Sequence, residues 1–96
     1  MKKAIKIKVA RGRILVIPNS CKARHRDQIK WETGLPFFVN FGYVSPLNKK
    51  LFSKDQPQGT ARYDAALYGP KKFKYFVGVY WNGKMLIKDP ELDMQP

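Results

Sequence analysis

Ninety-six residues suffice for one domain with a modest core and are too few for two, since domains commonly run to about 100–150 residues. A hydrophobic content of 44% excludes a disordered chain, and the single cysteine, Cys21, excludes an internal disulfide framework or a cysteine-cluster metal site. Nineteen basic residues against seven acidic ones give +12, and three of the acids (Asp89, Glu91, Asp93) fall in the last eight residues, so the first 88 set nineteen cations against four acids. A field of that sign attracts polyanions: nucleic acid, anionic lipid or an acidic protein.

Apolar residues recur at spacing two, the period of a strand with one face buried. Two lysines follow Met1, as in a signal peptide, but Lys6 and Lys8 break the apolar run that should come next. No stretch reaches the roughly 20 apolar residues of a membrane helix. The chain therefore reads as soluble and cytoplasmic, with an exported form whose leader has been removed as the alternative. Ile5, Ile7 and Val9 point one way, Lys6 and Lys8 the other. Arg11-Gly12-Arg13 is a turn, and Ile14–Ile17 is an apolar run of strand length ended by Pro18. Cys21 and Ala23 then alternate with Lys22 and Arg24, and Ile29 and Trp31 with Gln28, Lys30 and Glu32. Gly34 and Pro36 interrupt the chain before Phe37-Phe38-Val39-Asn40-Phe41.

From 42 to 59 the alternation fails. This segment is expected to be a long crossover or surface excursion pinned by Leu47, Leu51 and Phe52, with room for one short helical turn. Residues 60–68 allow a strand with Ala61, Tyr63 and Ala65 on one side, or a short helix over 64–68. Phe73, Tyr75, Val77, Val79 and Trp81 alternate with Lys72, Lys74, Phe76, Gly78 and Tyr80 as one long strand. Asn82-Gly83 is a type I′ hairpin signal, because both central positions of that turn need positive φ. Lys84–Lys88 returns, and Asp89-Pro90-Glu91-Leu92 begins a short terminal strand or tail. Short strands without helix-length patterns between them indicate an all-β sandwich or barrel occupying residues 1–96.

Three stretches, in order, resemble the cupredoxins. ILVIPNSCKARHRDQIKW (14–31) is similar to that family's apolar strand, proline, alternating strand and Gly-Asp-x-apolar-x-Trp motif, with Asp27, Ile29 and Trp31 matching and Arg26 in the glycine position. LPFFVNF (35–41) resembles the strand that carries the first copper histidine, and KFKYFVGV (72–79) the aromatic strand that leads to the copper cysteine. The resemblance implies a Greek-key β-sandwich of about seven to eight short strands, with the excursion at 42–59. It also implies a copper site that this chain cannot build. Phe37 or Phe38 stands at the histidine position and Val77 at the cysteine position, the only histidine is His25, and Met85 and Met94 have no partners to assist. No cofactor is expected.

Cys21 and His25 are four apart, but Cys21 belongs to the inward series and His25 to a solvated loop, and no third group orients them. Asp27, Glu32, Asp55 and Asp64 lack the spacing of a catalytic carboxylate pair, and no Gly-rich phosphate loop precedes a helix, so no enzymatic constellation is found. The basic residues are better organised. Lys6, Lys8, Lys22, Arg24, Arg26, Lys30, Lys71, Lys72 and Lys74 form the candidate polyanion surface, with outward Phe76 and Tyr80 as candidate base-stacking rings. Outward lysines also serve to keep strand edges from pairing, and outward aromatics to cover crossover segments. No RNA-binding consensus is present. The expected function is therefore a non-enzymatic basic module that binds a polyanion such as nucleic acid. The alternative is an adaptor or inhibitor domain docking on an acidic protein partner.

Overall fold

Strict alternation builds the first strand. In the computed structural model, which describes all 96 residues, Lys2–Ala10 forms β1, with Ile5 and Ile7 buried and Lys6 and Lys8 in solvent. Arg11 and Gly12 turn the chain at φ of 53° and 73°, the hairpin geometry that matches strand twist. The return strand β2 (Arg13–Ile17) buries Ile14 and Val16 but exposes Leu15 and Ile17, because it lies at a sheet edge with one covered face. On the other side of β1, β4 (Gln28–Glu32) runs parallel, and β7 (Gln58–Thr60) closes sheet I in the order β2-β1-β4-β7.

Sheet II has the order β10-β9-β5-β6, from β5 (Phe37–Asn40), β6 (Leu51–Ser53), β9 (Phe76–Trp81) and β10 (Lys84–Lys88). The β9–β10 turn is the expected one, with Asn82 at φ 51° and Gly83 at φ 75°. Sheet III is smaller: β3 (Ser20–Ala23), β11 (Glu91–Met94) and β8 (Lys71–Lys74), with β11 in the middle. No helix is long and apolar enough to cross a membrane.

Two expectations are corrected. The excursion at 42–59 is not free of regular structure and holds no helical turn. It forms β6 on sheet II and leads into β7 on sheet I, so it carries the chain from one layer to the other. Of its anchors Leu47 and Phe52 are buried, but Leu51 is exposed, since neighbours in a strand face opposite ways. The long strand from 72 to 81 is two strands. At Tyr75, whose N–H donates to the Pro90 carbonyl at 3.1 Å, the chain leaves β11 and joins β5 and β10. The terminal segment takes the first of its two expected forms, a short strand, and lies at the centre of sheet III, with Leu92 and Met94 fully buried. These subdivisions raise the strand count to eleven. Between 60 and 68 the short helix forms, as α1 (Ala65–Tyr68), with the Asp64 carboxylate accepting from the Ala66 N–H at 3.0 Å as its N-cap.

One cluster of buried side chains draws on all three sheets, so the inner faces of sheets I and II meet in a sandwich-like arrangement. Its centre is Trp31 on β4. The indole packs against Phe52 of β6 (centroids 4.8 Å apart), Tyr75 (5.5 Å) and Phe41 (6.1 Å), and its Nε1–H donates to the Tyr75 hydroxyl at 3.3 Å. Truncating Trp31 to alanine removes an aromatic group that three others pack around, and should cost about 3–5 kcal/mol in urea unfolding. A wild-type midpoint would remove Trp31 from its central place.

Burial holds the Tyr75 hydroxyl above its ordinary value of 10.0 and the Cys21 thiol above 9.0; at Cys21 the nearby Lys3 charge opposes the shift and Asp27 adds to it. Above those ordinary values the denatured chain releases protons that the native state keeps. Stability should therefore fall as pH rises past 9 and then 10, by at most about 1.4 kcal/mol per pH unit for each group and only until its native-state value is passed. Melting curves across that range should show the decline, and Cys21→Ala and Tyr75→Phe should each remove one contribution to its slope.

Candidate functional site

Strand parity distributes the nine basic candidates over three places. On sheet I, β1 sends Lys6 and Lys8 outward, about 6.6–6.8 Å apart along the strand. Lys30 on β4 faces the same side, opposite Ala4, and Lys6 lies opposite Glu32. Two cations outside the candidate set share this face: Lys2, in parity with Lys6 and Lys8, and Arg13 opposite Ala10. The sequence signal for Lys2 was its even position in β1, obscured by the resemblance of Met1-Lys2-Lys3 to a signal-peptide start. The outer face of sheet I thus carries Lys2, Lys6, Lys8, Arg13 and Lys30 against the single acid Glu32. Small Ala4 leaves a shallow depression of about 270 Å³ there, lined by Lys2, Lys30, Gln28 and Gln58.

Sheet III is built differently. Its central strand supplies the acids, so Asp93 lies between Lys22 and Lys72, and Glu91 between Ser20 and Lys74. Glu91 accepts from the Ser20 hydroxyl at 2.9 Å and pairs with Lys72 at 3.6 Å and Lys74 at 3.8 Å. Such pairs contribute little to stability, but the Glu91 carboxylate offsets part of the charge that this face would offer a ligand. Lys71, at the start of β8, stands over the Phe73 ring at 5.1 Å.

Arg24 and Arg26 occupy the turn between β3 and β4. Buried Asp27 closes it, accepting from the Arg24 N–H at 2.9 Å, and Arg26 donates its N–H to Ala61 at 2.8 Å. His25 in the same turn faces the Asp64 carboxylate at 3.8 Å. Cys21 is buried, its thiol pushed up by that burial and directed to its neighbour's carbonyl, so it does not join His25 as a nucleophile. Lys22 and Arg24, with Lys3, line a cleft of about 460 Å³ at this end of the sandwich.

The two candidate rings lie on a sheet that holds none of the nine cations. Phe76 and Tyr80 are exposed on the outer face of sheet II, because the chain changes sheets at Tyr75 and leaves Lys72 and Lys74 behind on sheet III. The exposed apolar neighbours of Lys6 and Lys8 are instead aliphatic, Ile17 and Leu15.

The positions that would carry copper do not fit the metal. Phe37 and Val77 are packed in the core, Phe38 lies on the outer face, and no three His, Cys, Asp or Glu side chains converge anywhere. Compared with known sequences, the chain matches no protein-family model and no curated protein.

Proposed function

We propose that this chain is a copper-free, cupredoxin-like Greek-key module without catalytic chemistry of its own, which binds a polyanion, nucleic acid foremost, through the outer face of sheet I. The observation that carries this reading is the charge of that face, five cations to one acid on three adjacent strands. The mixed ladder of sheet III makes the contrast: there each row of lysines has a carboxylate between or beside it. Regularly spaced ammonium groups suit a repeating anion better than a single small one. With Leu15 and Ile17 in place of rings beside these lysines, the contacts are to phosphates rather than to stacked bases.

The relationship to cupredoxins draws support from three local features. Arg26 adopts φ 75°, a conformation glycine takes without strain, at the position where the family motif carries glycine. Asp27 and Trp31 of the same motif are both buried in structural roles. Spatial neighbours that are distant in sequence, β4 with β7 and β5 with β9, accord with Greek-key connections.

Fluorescence anisotropy with short single-stranded DNA, duplex DNA and polyphosphate tests the proposal. All three should bind at low salt, with a log–log salt slope of about −3 to −5 if most of the five cations engage phosphates. The Lys6→Gln/Lys8→Gln/Lys30→Gln variant should reduce that slope by roughly 2–3 and stay folded. The Lys22→Gln/Arg24→Gln/Arg26→Gln variant should change it less. Equal effects of the two variants would move the site off sheet I. An absence of binding to any polyanion would overturn the reading, and retention of an acidic protein at moderate salt would favour the adaptor alternative.

A further inference from the structure

The outer face of sheet II carries no charged side chain. Across its four strands the register places Met85 beside Tyr80, Ile87 and Phe38 on either side of Gly78, Asn40 beside Phe76, and Leu51 beside Asn40. Gly78 is what lets the Phe38 ring pack over the middle of the sheet, since a Cβ there would lie 2.1 Å from a ring carbon. Six large apolar residues, Phe38, Leu51, Phe76, Tyr80, Met85 and Ile87, are between 37% and 63% exposed on one continuous surface. Lysines stand at its rim, Lys84 and Lys88 at the ends of β10 and Lys50 and Lys54 flanking β6.

At about 200 Å² for a whole large side chain, these exposed fractions amount to roughly 600–700 Å². That exceeds the largest apolar patch of a typical monomer, about 300–600 Å². In a chain of net charge +12, a sheet face free of lysine and arginine is a surface that two copies can bring together without placing like charges at its centre. The polar atoms on it belong to Asn40, Ser53 and the Tyr80 hydroxyl, none of which needs a charged partner.

We propose that this face is a homodimer interface, in which sheet II of one copy packs on sheet II of a second copy about a two-fold axis. An apolar pleated face is complementary to itself, and sheets stack about 10 Å apart with their strands within about 30° of alignment. Two such faces together bury roughly 1,300 Å², which reaches the range of specific protein interfaces, about 1,200–2,000 Å². The inference is independent of polyanion binding, which uses the opposite side of the sandwich.

Salt separates the two activities. Screening weakens repulsion between the two positively charged copies, so self-association should tighten as salt rises, whereas polyanion binding should weaken. Sedimentation velocity on nucleic-acid-free protein at about 100 µM, a concentration that detects a micromolar interface, should give twice the 11.1 kDa of one chain. Ile87→Lys and Met85→Lys, each at a solvent-exposed position of β10, place like charges across the two-fold and should weaken the dimer by roughly 100-fold or more. Their thermal melts should match that of the wild type under conditions where both are monomeric. Lys6→Gln, on sheet I, should leave the dimer intact. A mass of 11.1 kDa for the wild type at every salt concentration overturns the proposal. So does a dimer that survives both lysine substitutions, or one that dissociates as salt is raised.

Discussion

The fold depends on Trp31. Its ring is the point at which the layers are tied together: it sits on β4 of sheet I, stacks against Phe52 from sheet II, and hydrogen-bonds Tyr75 where the chain passes from sheet III to sheet II. Phe41 completes the group at 4.8 Å from the Tyr75 ring. A core of this size has few alternatives, because a chain of 96 residues buries a smaller share of its surface than a large domain does. Edge-on and tilted rings contribute through specific geometry as well as through area, which sets the two main sheets at one separation and one register. Gly59 on β7 belongs to the same constraint, since a Cβ there would lie 2.6 Å from the Phe52 ring.

Around that core the surfaces differ in kind. Sheet I turns lysine and arginine outward with little to oppose them, sheet III alternates basic and acidic strands, and sheet II shows aromatic and aliphatic groups. Charge and apolar area are thus separated by the thickness of the sandwich, and each outer face can meet a partner of its own class without interfering with the other. That separation follows from two chain events, the crossing from sheet II to sheet I through 42–59 and the change of sheet at Tyr75. Net charge alone would have described one uniformly basic particle.

Inward and outward assignments were legible wherever the period of two was unbroken. Ile5 and Ile7, Cys21 and Ala23, and Ile29 and Trp31 are all buried at the positions their spacing indicates. The Asn82-Gly83 turn was equally plain, because its backbone requirement is local. Less was visible in the candidate site. Lys6, Lys8 and Lys30 do share a face, but Lys22, Lys72 and Lys74 belong to a different one, and the rings of Phe76 and Tyr80 to a third. Alternation reports which side of its own strand a residue occupies and carries nothing about which sheet that strand joins.

The amino-acid order alone therefore determined the strand period, the hairpin turns, the side chains that enter the core and the excess of positive charge, since each arises from residues within a few positions of one another. Tertiary structure decided which lysines meet a carboxylate and which do not. Glu91 pairs with Lys72 and Lys74, and Asp93 stands in register between Lys22 and Lys72, only because β11 inserts between β3 and β8, strands about 70 and 20 residues away in the chain. It also decided that Phe38, Phe76, Tyr80 and Ile87 form one apolar surface, a grouping set by hydrogen-bonded pairing across strands rather than by any spacing along them.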